Sequence, residues 1–185
     1  HNIKEIPISD GGEGSIDFLK KNCDGKAVKH ETENAIGNKI LSEYFKFRNS
    51  KTAWVELSQA SGLSLIGEKN RNPGLTSTYG TGLSINHAIK SGCSEIILSL
   101  GGSATNDAGA GIFQALGGKL LDENNKLVPA KIIKGKGLFH SYAFVFLWPP
   151  GPAHRALHAQ YLAVSLLVAV SQLCRALKLA RAPEE

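Results

Sequence analysis

Apolar and polar residues alternate with a period of two in several short stretches of the chain, and each such stretch predicts a β-strand. Residues 51–58, with the sequence KTAWVELS, are the firmest example, and residues 94–100, SEIILSL, read as a short buried strand. The stretches predicted to form strands are residues 4–10, 25–34, 39–48, 51–58, 94–100 and 119–127.

Other stretches repeat their apolar residues at the spacing of an α-helix. Residues 13–23 and residues 75–92 both show this spacing, and Gly92 is well suited to end the second helix. Residues 107–117 read as a third helix, built largely from small residues. Predicted strands and helices therefore alternate along the chain, which favours a layered α/β fold with a mixed or parallel sheet.

Three turns rich in Gly, Ser, Thr and Asp precede predicted helices. We call them turn 1 (residues 9–15), turn 2 (residues 76–82) and turn 3 (residues 101–111). In open α/β sheets, ligands bind where strands end and helices begin, because unpaired N–H groups and the helix dipole favour anions there. Glycine allows close approach, Ser and Thr add hydroxyl donors, and Asp can hold a metal or accept a proton. Such a set suits phosphoryl transfer.

Helix capping is the competing interpretation of each turn. Ser, Thr, Asn and Asp are the usual N-caps, and glycine often serves only a tight turn. Turn 3 favours a binding site, since Ser103, Thr105, Asn106 and Asp107 provide more polar groups than one helix end requires. Neither the P-loop pattern nor the dinucleotide pattern G-x-G-x-x-G fits, so a nucleotide would be held in another way and a dinucleotide-binding module is disfavoured.

Composition excludes several classes of function. The 185 residues fit one domain or part of a larger one, and Lys and Arg are scattered despite the formal net charge of +5. Without an aromatic-rich basic stripe, a nucleic-acid partner is not indicated. Three widely spaced cysteines suggest neither a disulfide framework nor a zinc site and fit a reducing cytoplasm. The longest uncharged apolar run has 16 residues, fewer than the ~20 that cross a bilayer, so no membrane anchor is expected.

Several single residues have plain structural interpretations. We expect His87 to be a surface or partly buried residue of a helix and Trp54 to lie in the core. Cys23 and Cys93 have no activating neighbour in sequence, so both are interpreted as small buried hydrophobic residues. His154 and His158 have the i, i+4 spacing of a metal-binding pair, but the sequence suggests no third ligand.

Four segments, taken in order and with their spacing, resemble the bacterial type I glycerate kinase family. They are SDGGEGS at residues 9–15, ELSQASGLSL at 56–65, NPGLTSTYGTG at 72–82 and LGGSATNDAGAGIFQALGGKL at 100–120. Four linked motifs are far more specific than a lone glycine loop. The resemblance extends over about residues 1–137.

This resemblance implies a kinase that uses ATP and Mg²⁺ to phosphorylate a hydroxyl of D-glycerate, giving 2-phosphoglycerate, in the cleft of a two-lobed α/β fold. Glycerate and a nucleotide are the implied partners. Asp10 and Asp107 are the catalytic candidates; either would assist Mg²⁺ or accept the hydroxyl proton, and the sequence does not rank them. The implied substrate- and phosphate-binding residues are Gly11, Gly12, Glu13, Gly14, Ser77, Thr78, Gly80, Gly82, Gly101, Gly102, Ser103, Thr105 and Asn106.

Composition changes near Gly137. Residues 1–137 hold 15 Lys, 2 Arg, 14 Ile and 11 Asn, whereas residues 138–185 hold 1 Lys, 3 Arg and no Ile, Asn, Asp or Thr. We therefore predict two parts, a partial kinase domain (1–137) and a tail foreign to the family (138–185), which a frameshift, a misjoined gene model or an unusual terminus would produce. Because the family's N-terminal loop and C-terminal half have no counterpart here, we expect impaired activity; the alternative is a non-catalytic α/β fragment of a broken kinase gene.

Overall fold

A computed structural model of the chain describes residues 9–121, residues 126–127 and the backbone of Val145–Leu147. Most of the predicted strand at residues 4–10 lies outside these residues, as does the rest of the predicted tail, including its histidines. No helix in the described ranges is long and apolar enough to cross a membrane.

Two long strands form an antiparallel hairpin, as the alternating pattern predicts. Strand β1 (Gly25–Glu33) pairs with β2 (Lys39–Phe47), with Gly25 opposite Phe47 and Glu33 opposite Lys39. The side chain of Asn34 organises the connection, because its Oδ1 accepts hydrogen bonds from the N–H groups of Ile36 and Asn38 at 3.2 and 2.9 Å. A short polar side chain that replaces backbone acceptors in this way stabilises a tight turn.

The hairpin continues into a mixed four-stranded sheet. Strand β3 (Thr52–Glu56) pairs antiparallel with β2, and β4 (Glu95–Ser99) pairs parallel with β3, giving the order β1-β2-β3-β4. A parallel pair needs a long crossover, which here contains helix α3 (Tyr79–Lys90). The predicted α/β class with a mixed sheet is confirmed.

Helices cover both faces of this sheet. Helix α1 (Ser15–Asn22) packs Ile16 and Leu19 on Phe45 at one face, and α3 packs on Tyr44 at the other. Tyr44 and Phe45 are neighbours in β2 and point to opposite faces, as the period of a strand requires. Each face therefore has its own core, and the core under α3 consists of Tyr44, Ala53, Val55, Ile85, Ala88 and Cys93.

The boundaries of α3 and α4 follow from local backbone geometry. Gly92 has a φ of 88° and its N–H bonds to the Ile89 carbonyl, so it ends the α3 region as the sequence predicts. The helix predicted at residues 107–117 is shorter, because Ala108 and Gly109 have φ values of 52° and 79°. These left-handed residues delay the start of α4, which spans Ala110–Ala115.

Shorter elements complete the fold. Helix α2 (Ser58–Ser61) follows β3 directly, and two single 3₁₀ turns occupy Leu63–Leu65 and Glu68–Asn70. Strand β5 (Lys119–Leu121) pairs antiparallel with β6 (Val145–Leu147), so a three-residue segment of the predicted tail pairs with the main part of the chain. The predicted boundary at residue 137 lies outside the described residues.

Candidate functional site

Turn 1 is organised by its own short polar side chains. Asp10 Oδ1 accepts a 2.8 Å hydrogen bond from the Gly12 N–H, which bends the chain into the turn before α1. The hydroxyl of Ser15 donates to the Gly12 carbonyl at 2.7 Å and lies 2.6 Å from the Ser9 hydroxyl. Turn 1 thus holds its shape by internal bonds, and Asp10 is oriented by its own backbone.

A buried carboxylate anchors turn 1 to the sheet. Glu56, the last residue of β3, is 1% exposed, and its Oε2 accepts a 3.0 Å hydrogen bond from the N–H of Ile16 in the first turn of α1. Its Oε1 accepts from the Ser58 hydroxyl at 2.5 Å. A negative group at a helix N-terminus is stabilised by the free N–H groups and the helix dipole. Sequence reasoning missed Glu56 as a site residue, although it lies in the quoted motif ELSQASGLSL.

Turn 3 lies directly against turn 1. The N–H of Gly101 donates to the Gly11 carbonyl at 3.2 Å. A Cβ atom at Gly101 would overlap the Cα of Gly12 and stand 2.6 Å from its nitrogen, so glycine is required there for the two backbones to meet. The first and third predicted turns are therefore in contact.

Turn 3 also contacts turn 2, through Asp107. Oδ2 of this 6% exposed carboxylate accepts hydrogen bonds from the N–H and the hydroxyl of Thr78 at 2.8 and 2.9 Å, and from the Gly111 N–H at 3.1 Å. Its Oδ1 accepts from the Gly109 N–H at 3.1 Å, and the Ser77 hydroxyl lies 3.4 Å from Oδ2. Asp107 thus joins the starts of α3 and α4 and has both oxygens occupied.

Two glycines of turn 2 that the family resemblance implied as binding residues lie in the interior of the fold. Gly80 and Gly82 are both buried within α3. A Cβ at Gly82 would stand 2.6 Å from the Ala115 side chain, and one at Gly80 would overlap the carbonyl oxygen of Glu33. Close packing of α3 on α4 and on β1 therefore accounts for both glycines, and they do not lie on the open side of the turns.

The open side carries two exposed carboxylates. Asp10 and Glu13 are exposed and, with Ser9, Gly14 and Phe18, line a shallow depression of about 460 Å³. The side chain of Glu13 extends toward turn 3, since a Cβ at Gly102 would lie 3.3 Å from Glu13 Cγ. Acidic groups of turn 1 are thus adjacent to the glycine backbone of turn 3.

The remaining polar groups of turn 3 are also accessible. Gly102, Ser103 and Asn106 are exposed and Thr105 is half-buried. Ser103 and Thr105 have their hydroxyl oxygens 3.0 Å apart, and Ser103 Oγ accepts from the Thr105 N–H at 3.1 Å. Ser103 and Asn106 thus have polar side chains on exposed residues, whereas Thr78 and Asp107 form their hydrogen bonds inside the fold.

Metal chemistry at these turns would depend on a small donor set. Within residues 9–121 and the other described positions, no group of three or more His, Cys, Asp or Glu side chains lies close enough to hold a metal. Mg²⁺ usually takes one or two carboxylates, several waters and substrate phosphates. Asp10 and Glu13, two carboxylates on one open depression, fit that requirement.

The other residues singled out from the sequence are not part of the three turns. Trp54 is half-buried, packs with the α1 core and donates from Nε1 to the Ser99 hydroxyl at 3.1 Å. Cys93 is buried, as expected, whereas Cys23 is half-buried. His87 is exposed and stacks on His30 with ring centroids 5.0 Å apart. Burial lowers the pKa of His30, and the neighbouring His87 lowers it further.

Fold and site together define an α/β protein in which three glycine-rich turns meet at the end of a mixed sheet. The model of the glycerate kinase family matches residues 1–141, and the chain belongs to that family.

Relatives agree with this assignment. The glycerate kinase of Halalkalibacterium halodurans is 43% identical over 125 residues, which are 68% of this chain and 33% of that protein. The glycerate 2-kinase of Escherichia coli is 40% identical over 119 residues, or 64% of this chain and 31% of that protein. A crystal structure from Salmonella typhimurium LT2, described as that of a glycerate kinase 2, matches with a TM-score of 0.61 and 37% identity, covering 66% of this chain and 33% of that one. The chain therefore spans about a third of the length of these relatives.

Proposed function

We propose that this chain supplies the glycerate- and phosphate-binding turns of an ATP-dependent glycerate kinase. The observation that carries the proposal is the contact of turn 3 with both other turns, through Gly101 on one side and Asp107 on the other. The relatives named glycerate kinase support the substrate. The E. coli relative, named glycerate 2-kinase, supports 2-phosphoglycerate as the product.

The exposed part of turn 3 would bind the anionic groups. Backbone N–H groups of Gly102 and Ser103, with the hydroxyls of Ser103 and Thr105, provide neutral donors that can approach a carboxylate or phosphate closely. Asn106 adds an exposed amide. Holding glycerate and the γ-phosphoryl group in line supplies most of the rate enhancement in such transfers.

Asp10 and Glu13 are the residues we propose to hold Mg²⁺. Both are exposed carboxylates on the depression beside Gly102. The ion, when bound, neutralises the charge that develops on the phosphates. Among the described residues only the Gly12 N–H donates to Asp10, through Oδ1, which leaves Oδ2 for a ligand. A glycerate hydroxyl would then attack the γ-phosphorus of ATP. The new O–P bond would form as the bond from the γ-phosphorus to the bridging oxygen of ADP breaks, the hydroxyl proton would pass to water in this exposed depression, and 2-phosphoglycerate and ADP would leave.

Asp107 has a different proposed role. Its two oxygens accept four hydrogen bonds within the fold at 3.1 Å or less and the residue is 6% exposed, so we propose that it positions turns 2 and 3. Of the two aspartates that the sequence left unranked, Asp10 is therefore our candidate for direct contact with Mg²⁺.

Binding to the chain itself tests this proposal. We would record ¹⁵N–¹H spectra of the labelled chain during titration with D-glycerate and with Mg²⁺–ADP, following the glycine amides of turns 1 and 3. Shifts at Gly11, Gly12, Gly101 and Gly102, absent when L-lactate replaces glycerate, are the expected result. Saturating shifts confined to other regions, such as β1 and β2, would contradict the assignment of the site.

A further inference from the structure

We infer that Glu56 is a positioning residue of the proposed site: its buried carboxylate fixes turn 1 against turn 3, and so sets where Asp10 and Glu13 stand. This inference rests on the proposed function for its consequence in binding. The starting observation is that Glu56, at the end of β3, accepts one hydrogen bond from the distant Ile16 N–H at the start of α1 and a second, local one from the Ser58 hydroxyl in α2.

The burial of Glu56 is unusual for a glutamate. A buried carboxylate loses its hydration, and proteins generally compensate with a cation or a full set of donors. In the part of the chain that the structure describes, no Lys, Arg or His forms an ion pair with Glu56. Its close partners are instead the Ile16 N–H at the start of α1 and the Ser58 hydroxyl, with the Gln59 amide at 3.5 Å. An apolar side chain would fill the same space in the core. The hydrogen bonds that Glu56 accepts are therefore the reason we infer for a glutamate at this position.

The two bonds connect both sides of the proposed site. Ile16 follows turn 1 directly, so a bond at its N–H holds the end of that turn to β3. Ser58 lies under turn 3, because a Cβ at Gly102 would stand 3.3 Å from Ser58 Cβ and 3.3 Å from Glu13 Cγ. One carboxylate therefore holds turn 1 with one oxygen and contacts the residue beneath turn 3 with the other.

Two variants separate hydrogen bonding from the filling of space. Glu56→Met keeps a long side chain but removes both acceptors. Glu56→Gln keeps the shape, and its amide can accept from Ile16 while donating to the Ser58 hydroxyl, which can rotate. Glu31→Gln serves as the matched control, since Glu31 is exposed on β1, which is separated from the β3 strand that carries Glu56 by β2.

The measurement is made on the whole chain, first without any ligand. In Glu56→Met we expect the Ile16 amide to exchange with solvent about tenfold faster than in wild type, with the amides of β2 unchanged. The glycine signals of turn 1 should shift at the same time. Glu56→Gln should restore most of the protection, and Glu31→Gln should match wild type.

A titration with Mg²⁺ alone is the second readout, because a merely structural role would not change it selectively. The Mg²⁺ concentration needed to shift the amide NMR signals of Asp10 and Glu13 should rise about tenfold in Glu56→Met and about two- to threefold in Glu56→Gln. If wild type does not respond to Mg²⁺, the proposed function fails, and the exchange at Ile16 still tests the positioning of turn 1.

Equal exchange of the Ile16 amide in Glu56→Met and wild type would overturn the inference. So would equal behaviour of the Met and Gln variants, since the side chain would then only fill space. Should Glu56→Met not fold, Ser58→Ala replaces it: removal of the hydroxyl at 2.5 Å should shift the amides of Ile16 and Gly102, and unchanged amides would overturn the inference.

Discussion

The N–H of Gly101 donates a 3.2 Å hydrogen bond to the carbonyl oxygen of Gly11, which brings the backbones of turns 1 and 3 together. A side chain at Gly101 would overlap turn 1 itself, at Gly12, and a neighbouring backbone yields far less than a flexible side chain. The proposed metal-binding carboxylates can therefore lie close to the donors of turn 3 only because residue 101 is a glycine and has no Cβ.

Gly101→Ala should therefore destabilise the fold, by about 1–3 kcal/mol as in other overpacked sites. Urea unfolding followed by circular dichroism measures this change. Gly67→Ala is the control, because Gly67 has a φ of −63° and a Cβ added there would meet no heavy atom within 4 Å. The control should be neutral or stabilised by about 0.4–1 kcal/mol. Equal effects at both positions would refute the close contact of turns 1 and 3.

Asp107→Asn should lower the free energy of unfolding by about 1–3 kcal/mol. The asparagine NH₂ group would face the N–H donors of Thr78, Gly109 or Gly111, and none of these can accept a hydrogen bond. Asp17→Asn, at a side chain that is 71% exposed, should change stability little. An Asp107→Asn variant as stable as wild type would argue against the bonding described for this carboxylate.

The stability of the fold should fall as the pH drops below neutrality, partly because of His30. Burial, together with His87, lowers the pKa of His30 in the folded state, so the unfolded state binds the proton more readily. This contribution is fully present above the unfolded pKa of about 6.5 and is lost as the pH falls through the folded pKa. Comparing urea midpoints at pH 7.5 and 5.5, His30→Gln should show a smaller pH dependence than wild type. An identical dependence would exclude His30 as a source.

The thiols of Cys23 and Cys93 should differ in reactivity. Burial raises the pKa of the Cys93 thiol, and the residue is 3% exposed in the core under α3, whereas Cys23 is half-buried. In a Cys174→Ser background, Ellman's reagent should modify Cys23 in the native protein and Cys93 only after unfolding. Rapid modification of both thiols in the native state would show that the core under α3 is more open than described.

Local patterns predicted much of the fold. The β1–β2 hairpin follows from alternation on either side of residues 34–38, and the end of α3 follows from a glycine suited to a left-handed φ. Both features depend on residues close in sequence. For the same reason, the three glycine turns could be found as candidate ligand sites before their contacts were known.

Features that depend on distant residues could not be predicted. Glu56 and Ile16 are 40 positions apart, and nothing local to either shows that one caps the other. Gly82 resembles a ligand-binding glycine in its motif, but it is needed for the packing of α3 on Ala115 of α4. Local sequence also gave no basis for ranking Asp10 and Asp107, since the difference between them is burial.

The central claim is that this chain supplies the binding turns of a glycerate kinase. A hybrid protein, in which this chain replaces the matching part of a relative, tests that claim most directly. The 125 matched residues of the Halalkalibacterium halodurans glycerate kinase would be replaced by the corresponding residues of this chain, and glycerate-dependent ADP formation measured in a coupled assay. This chain alone, which spans about a third of that protein, is expected to show little turnover. The hybrid should be active, and Asp10→Asn in the hybrid should lower kcat by about 10²-fold or more at unchanged stability and raise the Mg²⁺ requirement. A folded hybrid without glycerate-dependent turnover, or one whose kcat is unaffected by Asp10→Asn, would contradict the account.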